Sequence, residues 1–462
     1  MKIMPISDSP WAPTGFGTNT KNIAAIWADA GHKIGYAGCQ NPKHDPAWKT
    51  PWPLGQTDKE VEFELLPIMH MGQEKFGEKS FDSWVGNFKP DLVFTHLDIQ
   101  MFSYVIERMQ PMNANIPLKN DKGQFLTPKE RKAMLDKIFK QLLKGPGWKL
   151  GSIIPIDGQP SIPQWIDIIK HVHYPVAMSR YGQAVMEEDF DGYKSTYIPH
   201  GVDCGFFKPK MNVKPDDAFV VGTVARNQHR KNIPRLMKAY KTFVEENKLT
   251  PKDSRLLLHM FWQDGMGWNI DYMANYYGIR EYIIPPTMGN LDQGEAPDEA
   301  GMVDIYNLMD VFALPTAGEG FGIPTIEAMA CGKPIVITNY TTGYELVMME
   351  DPDNLDDKVP LFPYGEGTDN GRDYLDMDKD MSDRGFLIPY KDMWWDTPKR
   401  AAPQRAIVSE RAMADAFTYY YKNPTVRLEH GANARRQAKQ YYDWKEVGKK
   451  WMKYIEKVEK DK

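Results

Sequence analysis

Residues 311–339, VFALPTAGEGFGIPTIEAMACGKPIVITN, constrain the fold more than any other stretch of the chain. The run Val311-Phe312-Ala313-Leu314-Pro315 has the length and composition of a buried strand. A loop of small residues follows, with Gly318, Gly320 and Gly322. Pro324 stands where a first helical residue belongs, residues 325–331 read as helix, and Gly332 followed by Lys333-Pro334 ends it. Ile335-Val336-Ile337-Thr338 is the next strand, which completes a strand–loop–helix–strand unit of a parallel sheet. The loop also has a chemical use. Glycines let the backbone approach a ligand closely, and the unpaired N–H groups of a helix start attract anions, so Gly320, Phe321, Gly322 and Ile323 are candidates to cradle a phosphate. Glu319 and Glu327 flank them with seven residues between. Carboxylates are poor phosphate ligands and good acceptors for sugar hydroxyls, so an anion site bracketed by two of them suits a nucleotide-sugar.

The segment EGFGIPTIEAMACGKPIV, with its Glu-x7-Glu spacing, resembles the signature of retaining glycosyltransferases of the GT-B fold, family 4 (glycosyltransferase group 1) in particular. The plain alternative is a strand–helix corner with two chance glutamates; the length of the match weighs against it. The resemblance implies an α/β architecture of two Rossmann-like, doubly wound domains facing across a cleft, with a C-terminal helix that crosses back onto the first domain.

The rest of the chain is compatible with that expectation. A length of 462 residues suits two or three domains, and 42% hydrophobic with 26% charged residues is ordinary for a soluble protein. The net charge of −5 offers no broad basic field for nucleic acid or anionic lipid. Cys39, Cys204 and Cys331 lie far apart without metal-ligand spacing and read as small buried side chains in a reducing compartment. No signal peptide and no run of eighteen apolar residues is seen. The expected location is cytoplasmic, with peripheral membrane association left open.

Residues 1–207 alternate strand and helix as a doubly wound acceptor domain should. Residues 2–6 form the first strand, and a helix is expected from about residue 19 to residue 30, which puts Gly15-Phe16-Gly17 in the intervening loop. That loop is either a phosphate or acceptor site, as its position in the resemblance implies, or a plain turn. Further strands at 32–38, 92–96, 152–157 and 175–179 place Gly15, Gly17, His96, Asp98, Asp157 and Gly158 on one rim, where ligands of such sheets bind. The resemblance implies an active-site histidine near the acceptor; this sequence has Asp157 at the corresponding place, so either Asp157 or His96 takes that role. His96 also reads as an ordinary histidine at a strand end, and His200 as a turn residue. Residues 111–147 are an expected surface insertion carrying a charged helix, and residues 208–217 an expected linker.

Residues 208–442 are the expected donor domain, followed by a terminal helix, 443–462. A buried strand at 219–225 ends in Arg226-Asn227-Gln228-His229-Arg230-Lys231, ahead of a helix from Ile233. Cations beside a helix N-terminus trap anions. The resemblance assigns Arg226 and Lys231 to the donor diphosphate, with Arg230 and His229 as lesser candidates; a solvated basic loop is the plainer reading. Pro286, Thr287 and Met288, after a strand at 281–285, are implied base contacts. Residues 351–383 form an acidic insertion. Its Asp376-Met377-Asp378 mimics a metal motif but sits among other acids with no apolar strand before it, so no metal site is assigned. From Ala406 onward the chain reads as helical.

The expected activity is therefore metal-independent, retaining transfer of a hexose or similar sugar from a UDP- or GDP-linked donor. Glu319 would orient the sugar, Glu327 the ribose, and Arg226 and Lys231 the departing diphosphate. The acceptor is open between glycan, lipid, protein and modified nucleobase, and no other cofactor is expected. A nucleotide-sugar epimerase or hydrolase, a DNA-modifying glycosyltransferase and a non-catalytic nucleotide-sugar binder are the alternatives.

Overall fold

The structure is a computed structural model and describes residues 1–12, 14–39, 49–53, 60–66, 68, 74–109, 127, 129, 147–161, 163–284, 299–361, 371–396 and 403–461. All but isolated residues of the expected insertion at 111–147, the base-contact candidates Pro286, Thr287 and Met288, and the middle of the acidic segment lie outside the described residues. The chain divides into two compact units. The first is Met1–Ile154 with Pro163–Val176 and Tyr454–Lys462; the second is Pro155–Ile162 with Ala177–Lys453.

The first unit is built on a twisted sheet with strands in the order β3-β4-β2-β1-β5-β6-β7. These are β1 (Lys2–Asp8), β2 (Lys33–Cys39), β3 (Lys49–Pro53), β4 (Glu60–Leu66), β5 (Leu92–His96), β6 (Lys149–Ile154) and β7 (Tyr174–Ala177). Pairing is parallel for β1 with β2 and β5, and antiparallel for the edge pair β3–β4. From Ile3 to Asp8 β1 is buried throughout, as a central parallel strand covered on both faces must be. The chain leaves β1 toward β2 and later returns on its other side to β5, so the sheet's switch point lies at the carboxyl ends of β1 and β5.

The helix that follows β1 runs Gly15–Asp29, so Gly15, Phe16 and Gly17 form its first turn instead of the expected loop. Thr14 caps that turn by accepting the Gly17 N–H at 3.1 Å. Glycine is a poor helix former, which hides this start in the sequence. Gly17 is required for closeness: a Cβ there would stand 2.6 Å from the Ser9 carbonyl oxygen. Tyr454, at the start of the unit's C-terminal piece, donates its hydroxyl to Tyr174 O at 3.0 Å and stacks on Trp27.

The second unit holds the short β8 (Thr196–Tyr197) and a second sheet in the order β11-β10-β9-β12-β13-β15-β14. Its strands are β9 (Phe219–Val224), β10 (Ser254–His259), β11 (Ile283–Ile284), β12 (Val311–Leu314), β13 (Ile335–Thr338), β14 (Met381–Ser382) and β15 (Gly385–Ile388). All pairs are parallel except β14–β15. Phe219, Val221, Val311, Ala313 and Val336 point to one face, where helices Ile233–Glu246 and Glu410–Lys422 supply Ile233, Leu236, Tyr240, Phe243, Met413 and Phe417. The residues after Ala406 do not begin a helix. β16 (Tyr390–Trp395) and β17 (Gln404–Val408) form an antiparallel hairpin, and the helix starts at Glu410, where Ser409 caps it by accepting the Ala412 N–H at 3.0 Å. A short apolar run such as Ala406-Ile407-Val408 carries no period that separates strand from helix.

Residues 177–207 belong to the second unit because buried Arg180 ties them there. Its guanidinium donates to the carbonyls of Pro352, Asn354, Leu355 and Asp357. Its N–H and the Tyr197 hydroxyl both donate to the buried carboxylate of Glu345, at 2.6 Å each. All three cysteines are free and buried, as their spacing suggested.

Phe243 is fully buried, and its ring meets Phe219, Tyr240, Phe417 and Tyr421 edge-on. Phe243→Ala should destabilise the second unit by about 3–5 kcal/mol, read as a lowered denaturant midpoint. An unchanged midpoint would contradict this packing.

Candidate active site

The second sheet switches direction between β9 and β12, so the segments leaving these two strands meet at its carboxyl edge. One segment is the basic run after β9. It closes in a tight turn, His229–Lys231, with Asn232 in the left-handed region at φ 51°. That turn directs Arg230 and Lys231 inward. The other segment is the glycine loop after β12. Lys231 Nζ donates to Glu319 Oε1, and Arg230 NH1 lies 3.2 Å from Glu319 Oε2 while donating to Gly318 O at 2.7 Å. The Glu319 N–H donates to Thr341 Oγ1 at 3.0 Å.

Lys231 and Glu319 are 8% and 6% exposed, so this ion pair is nearly dry. Burial alone would push the Glu319 carboxyl up; Lys231 and Arg230 outweigh it and hold the group down at about 2. Burial, with Arg230 alongside, lowers the Lys231 ammonium to about 8 although Glu319 pulls it the other way. At neutral pH the pair is ionised.

The loop geometry depends on glycine at two positions. Gly318 (φ 153°) and Gly322 (φ 98°) adopt conformations that L side chains avoid, and a Cβ at Gly318 would stand 2.1 Å from Asp157 O. Gly322 leads into helix Ile323–Ala330, with Pro324 in its first turn. The amides of Gly320, Phe321 and Gly322 find no acceptor among the described residues, as expected at a helix start. The Phe321 ring is buried edge-on against His200 and Tyr442, so this residue offers its amide and not its side chain. Burial pushes His200 down to about 3, which keeps it neutral. Glu327, one turn into the helix, accepts the hydroxyl of fully buried Tyr306 at 2.5 Å.

Asp157 joins this cluster. Residues 155–162 pack with the second unit, and Asp157 Oδ1 lies 3.2 Å from Arg405 NH1, its Oδ2 3.9 Å from Arg230 Nε. The structure thus brings Asp157, Lys231 and Glu319 together and adds Arg230 and Arg405. Sequence reasoning had Arg230 as a lesser candidate and missed Arg405; no motif marks either one. Arg226 stands apart at the end of β9, largely exposed, with Nε 3.2 Å from Asp264 Oδ2. His229 packs its ring on Trp268.

His96, Gly15, Phe16 and Gly17 lie in the first unit, at the switch point of its own sheet. His96 is buried at the end of β5, with Nδ1 2.8 Å from Thr20 Oγ1 and its ring 4.8 Å from that of Phe16. Asn19, one turn further along the same helix, is 2% exposed, and its side-chain amide has no partner among the described residues. No sequence pattern distinguishes that asparagine from a surface one. Asp376 is a helix cap: its carboxylate accepts the Asp378 N–H at 3.1 Å.

Two parallel-dominated α/β sheets, with a glycine-bearing helix start at the switch point of the first and a glycine loop at that of the second, define the architecture as the GT-B fold of glycosyltransferases, and solved structures share it along the whole chain. Sucrose-phosphate synthase from Thermosynechococcus elongatus superposes with a TM-score of 0.64 at 15% identity, covering 100% of both chains. HepE of Anabaena, crystallised with UDP and glucose, gives 0.60 at 13% identity over 99% of this chain and 100% of its own. Residues 291–359 match the family described as Glycosyl transferases group 1. The O-antigen chain mannosyltransferase B of Escherichia coli is 30% identical over 149 residues, which span 30% of this chain and 34% of the relative. The similarity to that relative therefore covers about a third of its length.

The ion pair predicts an acid-sensitive core. Folded Glu319 ionises near 2 against 4.5 for an unperturbed carboxyl, so the unfolded chain binds more protons between those values. Stability should fall by a few kcal/mol as pH drops from about 4.5 toward 2. Denaturant titrations of wild type and Glu319→Gln should show a shallower acid slope in the variant; equal slopes would contradict the pairing.

Proposed function

We propose that this protein is a retaining glycosyltransferase that moves a hexose or similar sugar from a UDP- or GDP-linked donor to an acceptor, without a metal ion. The observation that carries this reading is the dry Lys231–Glu319 pair, joined by partly exposed Arg230, with Glu319 in the same loop as the unpaired amides of Gly320, Phe321 and Gly322, at the switch point of a GT-B donor-type sheet. Chemically, the cluster offers fixed positive charge and hydrogen-bond donors on one side and a carboxylate with spare lone pairs on the other. That combination fits a diphosphate joined to a hydroxyl-rich ring.

In the proposed reaction the bond between the sugar's C1 and the β-phosphate oxygen breaks with both electrons leaving on the diphosphate, a nucleophilic atom of the acceptor forms the new bond to C1 on the same face, and the acceptor's proton passes to the departing diphosphate. Its growing charge meets Lys231, Arg230 and the loop amides; preorganised donors of this kind lower the barrier because they need no rearrangement. Exposed Arg226, at the end of β9 and outside this cluster, is proposed to add its charge to the diphosphate. These cations take over the task a metal ion performs in other phosphate sites. Glu319 keeps lone pairs beyond those used by Lys231 and Arg230 and accepts from the sugar hydroxyls. Glu327 is proposed to bind the ribose, and Pro286, Thr287 and Met288 the base. His96 and the Gly15-Phe16-Gly17 turn of the first unit are proposed for the acceptor, with buried Asn19 of the same helix offering a further unsatisfied amide; Asp157 of the second unit is proposed separately to act on the reacting groups. The mannosyltransferase among the relatives and HepE with UDP and glucose support a hexose donor. No helix among the described residues is long and apolar enough to cross a membrane.

A panel of nucleotide-sugars screened for thermal stabilisation should single out one donor, since a ligand that binds the folded state raises its melting temperature. With that donor, Lys231→Ala and Arg226→Ala should each lower turnover on the order of 100-fold. Unchanged sugar transfer in either variant would reject the diphosphate role of that residue, and a flat panel would reject the reading as a whole.

A further inference from the structure

β17 belongs to neither main sheet, yet the loops of the candidate site converge on it. The Gln404 N–H donates to Gln159 O at 2.7 Å, and Gln404 O accepts the Tyr340 hydroxyl at 2.7 Å. The Ala406 N–H donates to Ala317 O at 3.3 Å, and Ala406 O accepts from Asn232 Nδ2 at 3.2 Å. One short strand is thereby bonded to the Asp157 segment, the Lys231 turn and the Glu319 loop.

Arg405 lies between those contacts and is 6% exposed. Its NH1 donates to Asp157 O at 2.6 Å and lies 3.2 Å from Asp157 Oδ1, while its Nε donates to Asp396 Oδ2 at 3.0 Å. Nearby backbone leaves room for this arrangement: a Cβ at Gly318 would stand 2.7 Å from Arg405 NH1. A guanidinium is always charged and holds its donors in a rigid plane, so it fixes a carboxylate in direction as well as distance. The result is a line of alternating charge, Arg405–Asp157–Arg230–Glu319–Lys231. Asp157 and Arg230 are the members that each keep about a quarter of the side chain exposed, 26% and 29%.

We propose that Arg405 is a positioning residue for the transfer step: it touches no substrate, and it holds the Asp157 carboxylate in register with Arg230 and Glu319. This rests on the glycosyltransferase reading. A residue that acts through Asp157 loses its influence once Asp157 is gone, whereas a residue that merely stabilises the fold does not.

A double-mutant cycle reads that difference. Arg405→Gln, Asp157→Asn and the double variant are compared for release of nucleoside diphosphate from the donor that stabilises the wild type. Arg405→Gln should lower kcat by up to about 100-fold, the scale of a misplaced reacting group, with the KM for donor and the melting shift caused by UDP or GDP unchanged. In the Asp157→Asn background it should have no further effect on kcat, and Arg405→Lys should recover part of the loss. Multiplicative effects of the two substitutions, or wild-type kcat in Arg405→Gln, would overturn the proposal. Should Arg405→Gln fail to fold because Asp396 loses this ion pair, Arg405→Lys, alone and with Asp157→Asn, completes the same cycle and is read by the same criterion. If the wild type neither binds nor cleaves any nucleotide-sugar, the functional reading falls first; if the wild type turns over and the cycle is additive, only the role of Arg405 falls.

Discussion

The second unit is organised around one buried ion pair, Lys231 with Glu319, set where the chains leaving β9 and β12 meet. Two charges withdrawn from water cost more than their attraction returns unless every remaining lone pair and proton is engaged, so such pairs are poor devices for stability alone. Here the engagement is extensive: Arg230 on the second carboxylate oxygen, Thr341 on the Glu319 amide, and the Gly318 carbonyl on Arg230. Removing one partner would strand the other, which ties the basic turn and the glycine loop into a single object. A pair with strongly displaced ionisation at the ligand-binding edge of a parallel sheet is also the pattern expected of a working site.

Charge then spreads outward from that pair by contact. Arg230 links Glu319 to Asp157, and Arg405 links Asp157 to the β16–β17 hairpin. The loop ahead of helix Ile323–Ala330 adds the unpaired amides of Gly320, Phe321 and Gly322, at the end of the helix whose dipole favours an anion. Cations, amides and a carboxylate are thus held together by contacts within the fold itself.

Much of this was legible in the residues. The run from Val311 to Thr338 carries apolar strands, glycines and a well-placed proline in an order that few folds accommodate, and both strands and the helix between them form as read. What stayed hidden follows from what sequence spacing does not encode. Which of Arg226 and Arg230 turns inward depends on a tight turn and a left-handed Asn232, and both arginines sit in the same basic run. Arg405 lies in a stretch whose apolar neighbours suit helix or strand equally, so neither β17 nor its contacts could be read. Gly15 and Gly17 masked a helix start because their low helix propensity argues for a loop, while the Thr14 cap decides the matter. Asn19 looks like any polar helical residue until its burial is known.

The most direct test is a crystal structure with UDP or GDP soaked in. The account predicts the diphosphate at the end of β9 and β12, within hydrogen-bond distance of Lys231 and of the amides of Gly320, Phe321 and Gly322. A nucleotide bound elsewhere, with Lys231 and Glu319 untouched, would contradict it.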